Sequence, residues 1–129
     1  MEEEGPDLER PSGQLDLRRF RELSDGEAGS RRVVIRQYLD QAWGLFEAAA
    51  HAVETHDART LRLVAYTLGE SSRAVGAEAV ALVAAALEAT ATDAMRGAPL
   101  LLGRALACLI ATEQEFKRVL GEDPGRRAA

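Results

Sequence analysis

This chain of 129 residues contains a single cysteine, four prolines and few aromatic residues, which make up 5% of the sequence. One cysteine excludes an internal disulfide, and Cys108 lies among apolar neighbours, so we expect an inert buried thiol in a reducing compartment. Scarce proline and aromatics, together with abundant alanine and leucine, favour helices over sheets. The length suits one domain that buries its own core.

The sequence also lacks an excess of positive charge and any apolar run of membrane-spanning length. Its formal net charge of −5 gives no electrostatic case for binding nucleic acid. Gly103 and Arg104 interrupt the stretch from Leu100 to Ile110, and the first residues are acidic, unlike a secretory signal. No metal-ligand spacing, phosphate loop or nucleophile elbow is present. We therefore expect a cytoplasmic protein without membrane contact, metal or cofactor.

Three regions of the chain differ in composition. Residues 1–13 are acidic and contain glycine and proline but almost nothing apolar, which predicts a disordered lead-in. Residues 14–121 carry the apolar spacing of helices and form the predicted domain. Residues 122–129 are predicted to be a flexible tail.

The middle region shows the spacing of amphipathic helices. A short helix is predicted around Phe20 and ends at Ser24-Asp25-Gly26, and a long helix is predicted from about Ser30 to Thr55. Core-facing positions of the next three helices are predicted at Leu61, Val64, Leu68, Ser71 and Val75, then Val80, Val83, Ala84 and Leu87, and finally Leu102, Leu106, Leu109, Phe116 and Leu120. This pattern predicts an all-α antiparallel four-helix bundle with the short helix packed across one end.

The helix ends have recognisable signals. Asp57 is suited to cap the second long helix, because its carboxylate can accept hydrogen bonds from the first turn. Gly76 predicts a turn between the second and third long helices. Gly97 and Pro99 predict the start of the last helix, since proline is tolerated in a first helical turn.

One segment carries a specific pattern. Residues 65–77 read Ala-Tyr-Thr-Leu-Gly-Glu-Ser-Ser-Arg-Ala-Val-Gly-Ala. This run resembles the signature of histidine-phosphotransfer domains, Ala-His-x-Leu-Lys-Gly-Ser-Ser-x-x-Val-Gly-Ala. The resemblance implies a four-helix bundle that exchanges phosphate with receiver domains. The packing half of the signature is retained at Leu68, Ser71, Ser72, Val75 and Gly76.

The reactive half of the signature is changed at three positions. Tyr66 stands where the phosphate-accepting histidine is expected, Gly69 replaces a charge-neutralising lysine, and Glu70 replaces a glycine that lets the partner approach. Neutral imidazole is a good nucleophile near pH 7, whereas a tyrosine phenol is only about 0.1% ionised at that pH. A phosphotyrosine ester also lacks the labile P–N bond of a reversible relay. These changes predict a degenerate site that does not relay phosphate.

Helical phase places Tyr66 in solvent, because it lies two positions from the predicted core residue Val64. Residues at offsets of −4, +3, +4 and +7 share a helix face with Tyr66, namely Arg62, Gly69, Glu70 and Arg73. The resemblance implies that this face docks a response-regulator receiver domain or a hybrid histidine kinase that contains one.

Three functions remain open at this point. The leading hypothesis is a catalytically silent pseudo-histidine-phosphotransfer protein, more plausible as a monomer than as an oligomer, that acts as a binding adaptor in two-component signalling. The second is a structural or oligomerisation bundle in which exposed Tyr66 and Gly69 form a helix-packing contact. The third is a phosphotransferase that uses a displaced histidine, His51 or His56.

Overall fold

The structure, a computed structural model, describes residues 15–22, 28–92 and 94–121. The described residues form five helices, α1 Leu17–Arg21, α2 Ala28–Glu54, α3 Ala58–Ala74, α4 Glu78–Ala89 and α5 Ala98–Val119. The described residues contain no strand, and the predicted all-α class is confirmed. The predicted lead-in and tail, and the predicted stop at residues 24–26, lie outside the described residues.

The four longer helices pack around one hydrophobic core. Helix α3 contacts α2 and α4, and α5 contacts α4 and α2, so the contacts close a ring. The largest fully buried apolar side chains in this core are Phe116, Ile35, Leu61, Leu68, Leu87 and Leu109. The fold is a helical bundle, and its antiparallel four-helix order stays a prediction.

The predicted helix-end signals operate at α3 and α5. Asp57 caps α3 by accepting hydrogen bonds from the Thr60 amide at 3.1 Å and the Thr60 hydroxyl at 2.7 Å. The hydrogen bond from the Thr60 hydroxyl, and to a smaller extent that from the Thr60 amide, lowers the pKa of the Asp57 carboxyl because it stabilises the charged form. Gly97 precedes α5 in the left-handed region at φ +81°, and Pro99 lies in the first turn.

The buried stripe of α3 differs from the predicted one by a small rotation. Val64 and Ser71, predicted to face the core, are only half-buried, whereas Ala65 and Ser72 are fully buried. On this side, Ser72 contacts Tyr38 of α2, and Gly69 lies against α4. The stripe observed on α3 is Leu61, Ala65, Leu68, Gly69 and Ser72.

A similar correction applies to α5. Leu106, predicted to face the core, is 39% exposed, and the neighbouring Ala105 is buried instead. Cys108 is buried, as predicted, and burial raises the pKa of its thiol. A neutral buried thiol packs as a small apolar side chain.

A buried hydrogen bond connects α2 to α3. The hydroxyl oxygens of Tyr38 and Ser72 lie 2.7 Å apart. The Tyr38 ring also packs edge-on against Phe116, with ring centroids 6.1 Å apart. Burial raises the pKa of Tyr38 to about 12, and the hydrogen bond with Ser72 opposes this effect. Ser72 of α3, which lies within residues 65–77, thus forms a hydrogen bond with Tyr38 of the neighbouring helix α2.

We expect Ser72→Ala to lower the free energy of unfolding by about 1–3 kcal/mol, because the buried Tyr38 hydroxyl loses its partner. Tyr38→Phe should cost about 1 kcal/mol, since the Ser72 hydroxyl can turn to a carbonyl of its own helix. The double variant should then lose less than the sum of the single losses, as measured by urea denaturation. Strictly additive losses would show that the two hydroxyls are not coupled.

The raised pKa of Tyr38 predicts a loss of stability at high pH. The unfolded chain ionises this phenol near its ordinary pKa of 10.0, whereas the folded chain does so at about 12. The stabilising contribution is therefore complete below pH ~10 and is lost as the pH rises towards ~12. A difference of this size corresponds to about 2–3 kcal/mol. The native chain should lose more stability across this range than Tyr38→Phe, because only the native chain carries the Tyr38 contribution.

Helix α1 lies against the turn between α3 and α4. The Asp16 amide, just before α1, donates a hydrogen bond to the Gly76 carbonyl at 2.8 Å. Phe20 of α1 is buried with its ring centroid 5.7 Å from that of Phe116, and the Arg31 guanidinium lies 5.4 Å from the centroid of the Phe20 ring. The short helix therefore completes one part of the core.

Gly76 permits this arrangement in two ways. Its φ of +81° is in the left-handed region that favours glycine. A Cβ atom at this position would also lie 2.8 Å from the Asp16 carbonyl oxygen. The predicted turn residue thus also accommodates the N-terminal segment.

Candidate docking face on helix α3

Tyr66 lies near the middle of α3 with 51% of its surface exposed. Its neighbours Ala65 and Leu68 are buried on the other side of the helix. The predicted exposure of this position is confirmed. A partner approaching this face would meet a phenol ring where the signature places an imidazole.

Arg62 lies one helical turn before Tyr66 and contacts the connection after α4. Its guanidinium donates a hydrogen bond to the Ala91 carbonyl at 2.8 Å. Ala91 is itself buried. Arg62 therefore ties the segment between α4 and α5 to the edge of the α3 face, and part of its hydrogen-bonding capacity is used within the chain.

Glu70 and Arg73 form an ion pair on the same face. Their closest side-chain atoms are 2.7 Å apart, and about half of each side chain is exposed. The hydrogen bond that Arg73 donates to the Glu70 carboxylate raises the pKa of the Arg73 guanidinium. An exposed pair of this kind contributes little to stability. It does offset the negative charge that the sequence places where a partner would approach.

Gly69, predicted on the exposed face, is buried. A Cβ atom added to it would lie 3.6 Å from the Ala84 Cβ and 4.0 Å from the Ala81 carbonyl oxygen. The reason is that α4 packs over this side of α3, which phase within one helix does not reveal. Its burial removes the exposed tyrosine–glycine surface on which the oligomerisation hypothesis depended.

An open depression of about 410 Å³ adjoins Tyr66. Its lining residues are Arg59, Arg62, Leu63, Tyr66 and Glu88. Leu63 and Arg59 lie three and seven positions before Tyr66 on α3, so helical phase could have identified both. Glu88 belongs to α4 and joins the site only through the packing of the two helices.

Neither histidine lines this depression. His56 lies in the connection before α3, at φ +58°. From Ala58 to Tyr66 the helix rises by about 12 Å, so His56, which precedes the N-terminus of α3, lies more than two helical turns before Tyr66 along the helix axis. His51 is exposed on α2. A phosphate acceptor at either histidine would therefore act at a distance from Tyr66.

Compared with known proteins, the chain matches no family model, no curated protein and no solved structure. The resemblance therefore depends on residues 65–77 themselves. No helix in the described ranges is both long and apolar enough to cross a membrane. Within the same ranges, no group of three or more histidine, cysteine or acidic side chains is arranged to hold a metal ion.

Proposed function

We propose that this chain is a catalytically silent pseudo-histidine-phosphotransfer protein, a cytoplasmic monomer that acts as a binding adaptor in two-component signalling. It docks a response-regulator receiver domain, or a hybrid kinase that carries one, through the exposed face of α3. The observation that carries the proposal is Tyr66, half-exposed where the signature has histidine, on a helix whose Leu68 and Ser72 are buried.

The chemistry of the face argues against a relay. Phosphoryl transfer depends on a positioned nucleophile and on neutralising the transferred charge. Tyr66 offers a phenol in place of an imidazole, and Gly69 offers no cation. Arg73 is engaged by Glu70 at 2.7 Å. Binding without transfer would change phosphate flow by occupying the receiver and excluding an active competitor.

The direct test is binding to purified receiver domains encoded by the same genome. We expect at least one to bind the native chain, and Tyr66→Ala to weaken that complex at least tenfold. Leu82→Ala is a matched control, because Leu82 is 71% exposed on α4 and does not line the depression. Failure of every receiver domain to bind, or equal effects of the two variants, would contradict the proposal.

A further inference from the structure

The exposed face of α3 has two halves with different chemistry. In the C-terminal half, Gly69 is covered by α4, and Glu70 and Arg73 neutralise each other. The N-terminal half borders the depression and contains Arg59 and Leu63. Side chains that are already covered or paired offer less to a partner than side chains that are exposed and unpaired.

Leu63 and Tyr66 form an apolar ridge at the edge of the depression. They are one helical turn apart and are 67% and 51% exposed. Tyrosine and arginine are enriched among the residues that carry most of the binding energy in protein interfaces, and covering the exposed Leu63 side chain would bury further apolar area. This ridge is therefore suited to an apolar patch on the partner.

The charges around the depression favour an acidic partner. Two arginines, Arg59 and Arg62, line it with one carboxylate, Glu88, although the whole chain carries a formal charge of −5. Arg62 donates to the Ala91 carbonyl, whereas Arg59 forms no ion pair within the described part of the chain, although its charge also acts on the nearby Asp57 carboxylate. Arg59 is therefore the cation most available to a carboxylate of the partner.

We infer that Arg59, Leu63 and Tyr66 recognise the partner, and that the stripe of Gly69, Glu70 and Arg73 does not. The surface that fits this ridge is an acidic face of a receiver domain with an apolar patch beside its carboxylates. This inference rests on the proposed function, and it moves the centre of docking towards the N-terminal end of α3. Arg62 is a positioning residue that holds the edge of the depression through Ala91.

The test uses the receiver domain that binds the native chain, with affinities measured by isothermal titration calorimetry. Arg59→Glu and Leu63→Asp should each weaken binding at least tenfold, through repulsion of the acidic partner and loss of the apolar contact. The matched controls are Leu82→Asp, at another exposed leucine, and the double variant Glu70→Gln with Arg73→Gln. Both controls should bind within about twofold of the native chain, and circular dichroism verifies that every variant is folded.

Two other results would overturn the inference in distinguishable ways. If the Glu70 and Arg73 double variant loses binding while Arg59→Glu and Leu63→Asp retain it, the proposed function stands. The centre of docking is then the stripe of Gly69, Glu70 and Arg73. If no receiver domain binds the native chain, the proposed function fails and this inference fails with it.

Discussion

Gly76→Ala is expected to lower the free energy of unfolding by about 2–4 kcal/mol, more than the same substitution at Gly97. Both glycines have a φ of +81°. A Cβ atom in the left-handed region costs about 1–2 kcal/mol at either position. Only at Gly76 would that atom also lie 2.8 Å from a backbone oxygen, the carbonyl of Asp16, whereas Gly97 has nothing within 4 Å.

Gly97→Ala is therefore a matched control that separates the two effects. The extra loss at Gly76 measures the contact with the N-terminal segment, and urea denaturation of both variants gives the difference. Hydrogen exchange at the Asp16 amide should also accelerate in Gly76→Ala, because that amide bonds to the Gly76 carbonyl at 2.8 Å. Equal losses of stability at the two glycines would show that the segment around Asp16 moves away from the new Cβ atom without lowering the free energy of unfolding.

Introducing the signature residues at three positions is expected to create a phosphate acceptor at position 66, where the proposed silent adaptor carries tyrosine. The triple variant combines Tyr66→His, Gly69→Lys and Glu70→Gly. It supplies an imidazole on the exposed face, a nearby cation and room for the partner backbone. Incubation with a phosphorylated receiver that the chain binds should then place acid-labile phosphate on the variant.

The packing around Gly69 leaves room for the Cβ atom of the new lysine. A Cβ atom there would lie at ordinary contact distances, 3.5 Å from the Arg73 guanidinium and 3.6 Å from the Ala84 Cβ. Glu70→Gly releases Arg73 from its ion pair, so the guanidinium can move away from the new lysine. Glu70→Gly introduces a glycine into the helix and costs about 1 kcal/mol of helix stability. Gly69→Lys removes a glycine from the same helix and regains about the same amount.

The control for this experiment is the variant with Gly69→Lys and Glu70→Gly alone, which retains Tyr66. It should be folded and should accept no acid-labile phosphate. A triple variant that is folded and binds the receiver, yet stays unphosphorylated, would contradict the assignment of position 66 to the former transfer site.

Features that depend on one helix could be predicted from the sequence. The exposure of Tyr66 follows from its spacing to the core positions of α3, and the cap at Asp57 follows from its place before the first turn. Gly76 could be predicted as a turn residue from its type and position. In each case the physical cause lies within a few residues of the feature.

Features that depend on a neighbouring helix could not be predicted in this way. Gly69 is buried because Ala84 packs over it, and Ser72 bonds to Tyr38, which lies 34 positions away. Glu88 reaches the depression from α4. Helical phase determines which residues share a face of one helix, but not which faces of two helices pack together. The residues that line the depression could therefore be identified only from the packing of the helices.

The proposal that the chain binds a receiver domain without taking its phosphate is tested most directly by locating the phosphate within that complex. A radiolabelled phosphoreceiver that binds the native chain is mixed with it, and complex formation and acid-labile label are followed in the same sample. We expect a complex in which the label stays on the receiver or is released as inorganic phosphate, with none on the chain that carries Tyr66. Acid-labile label on the native chain would contradict the proposed silent adaptor.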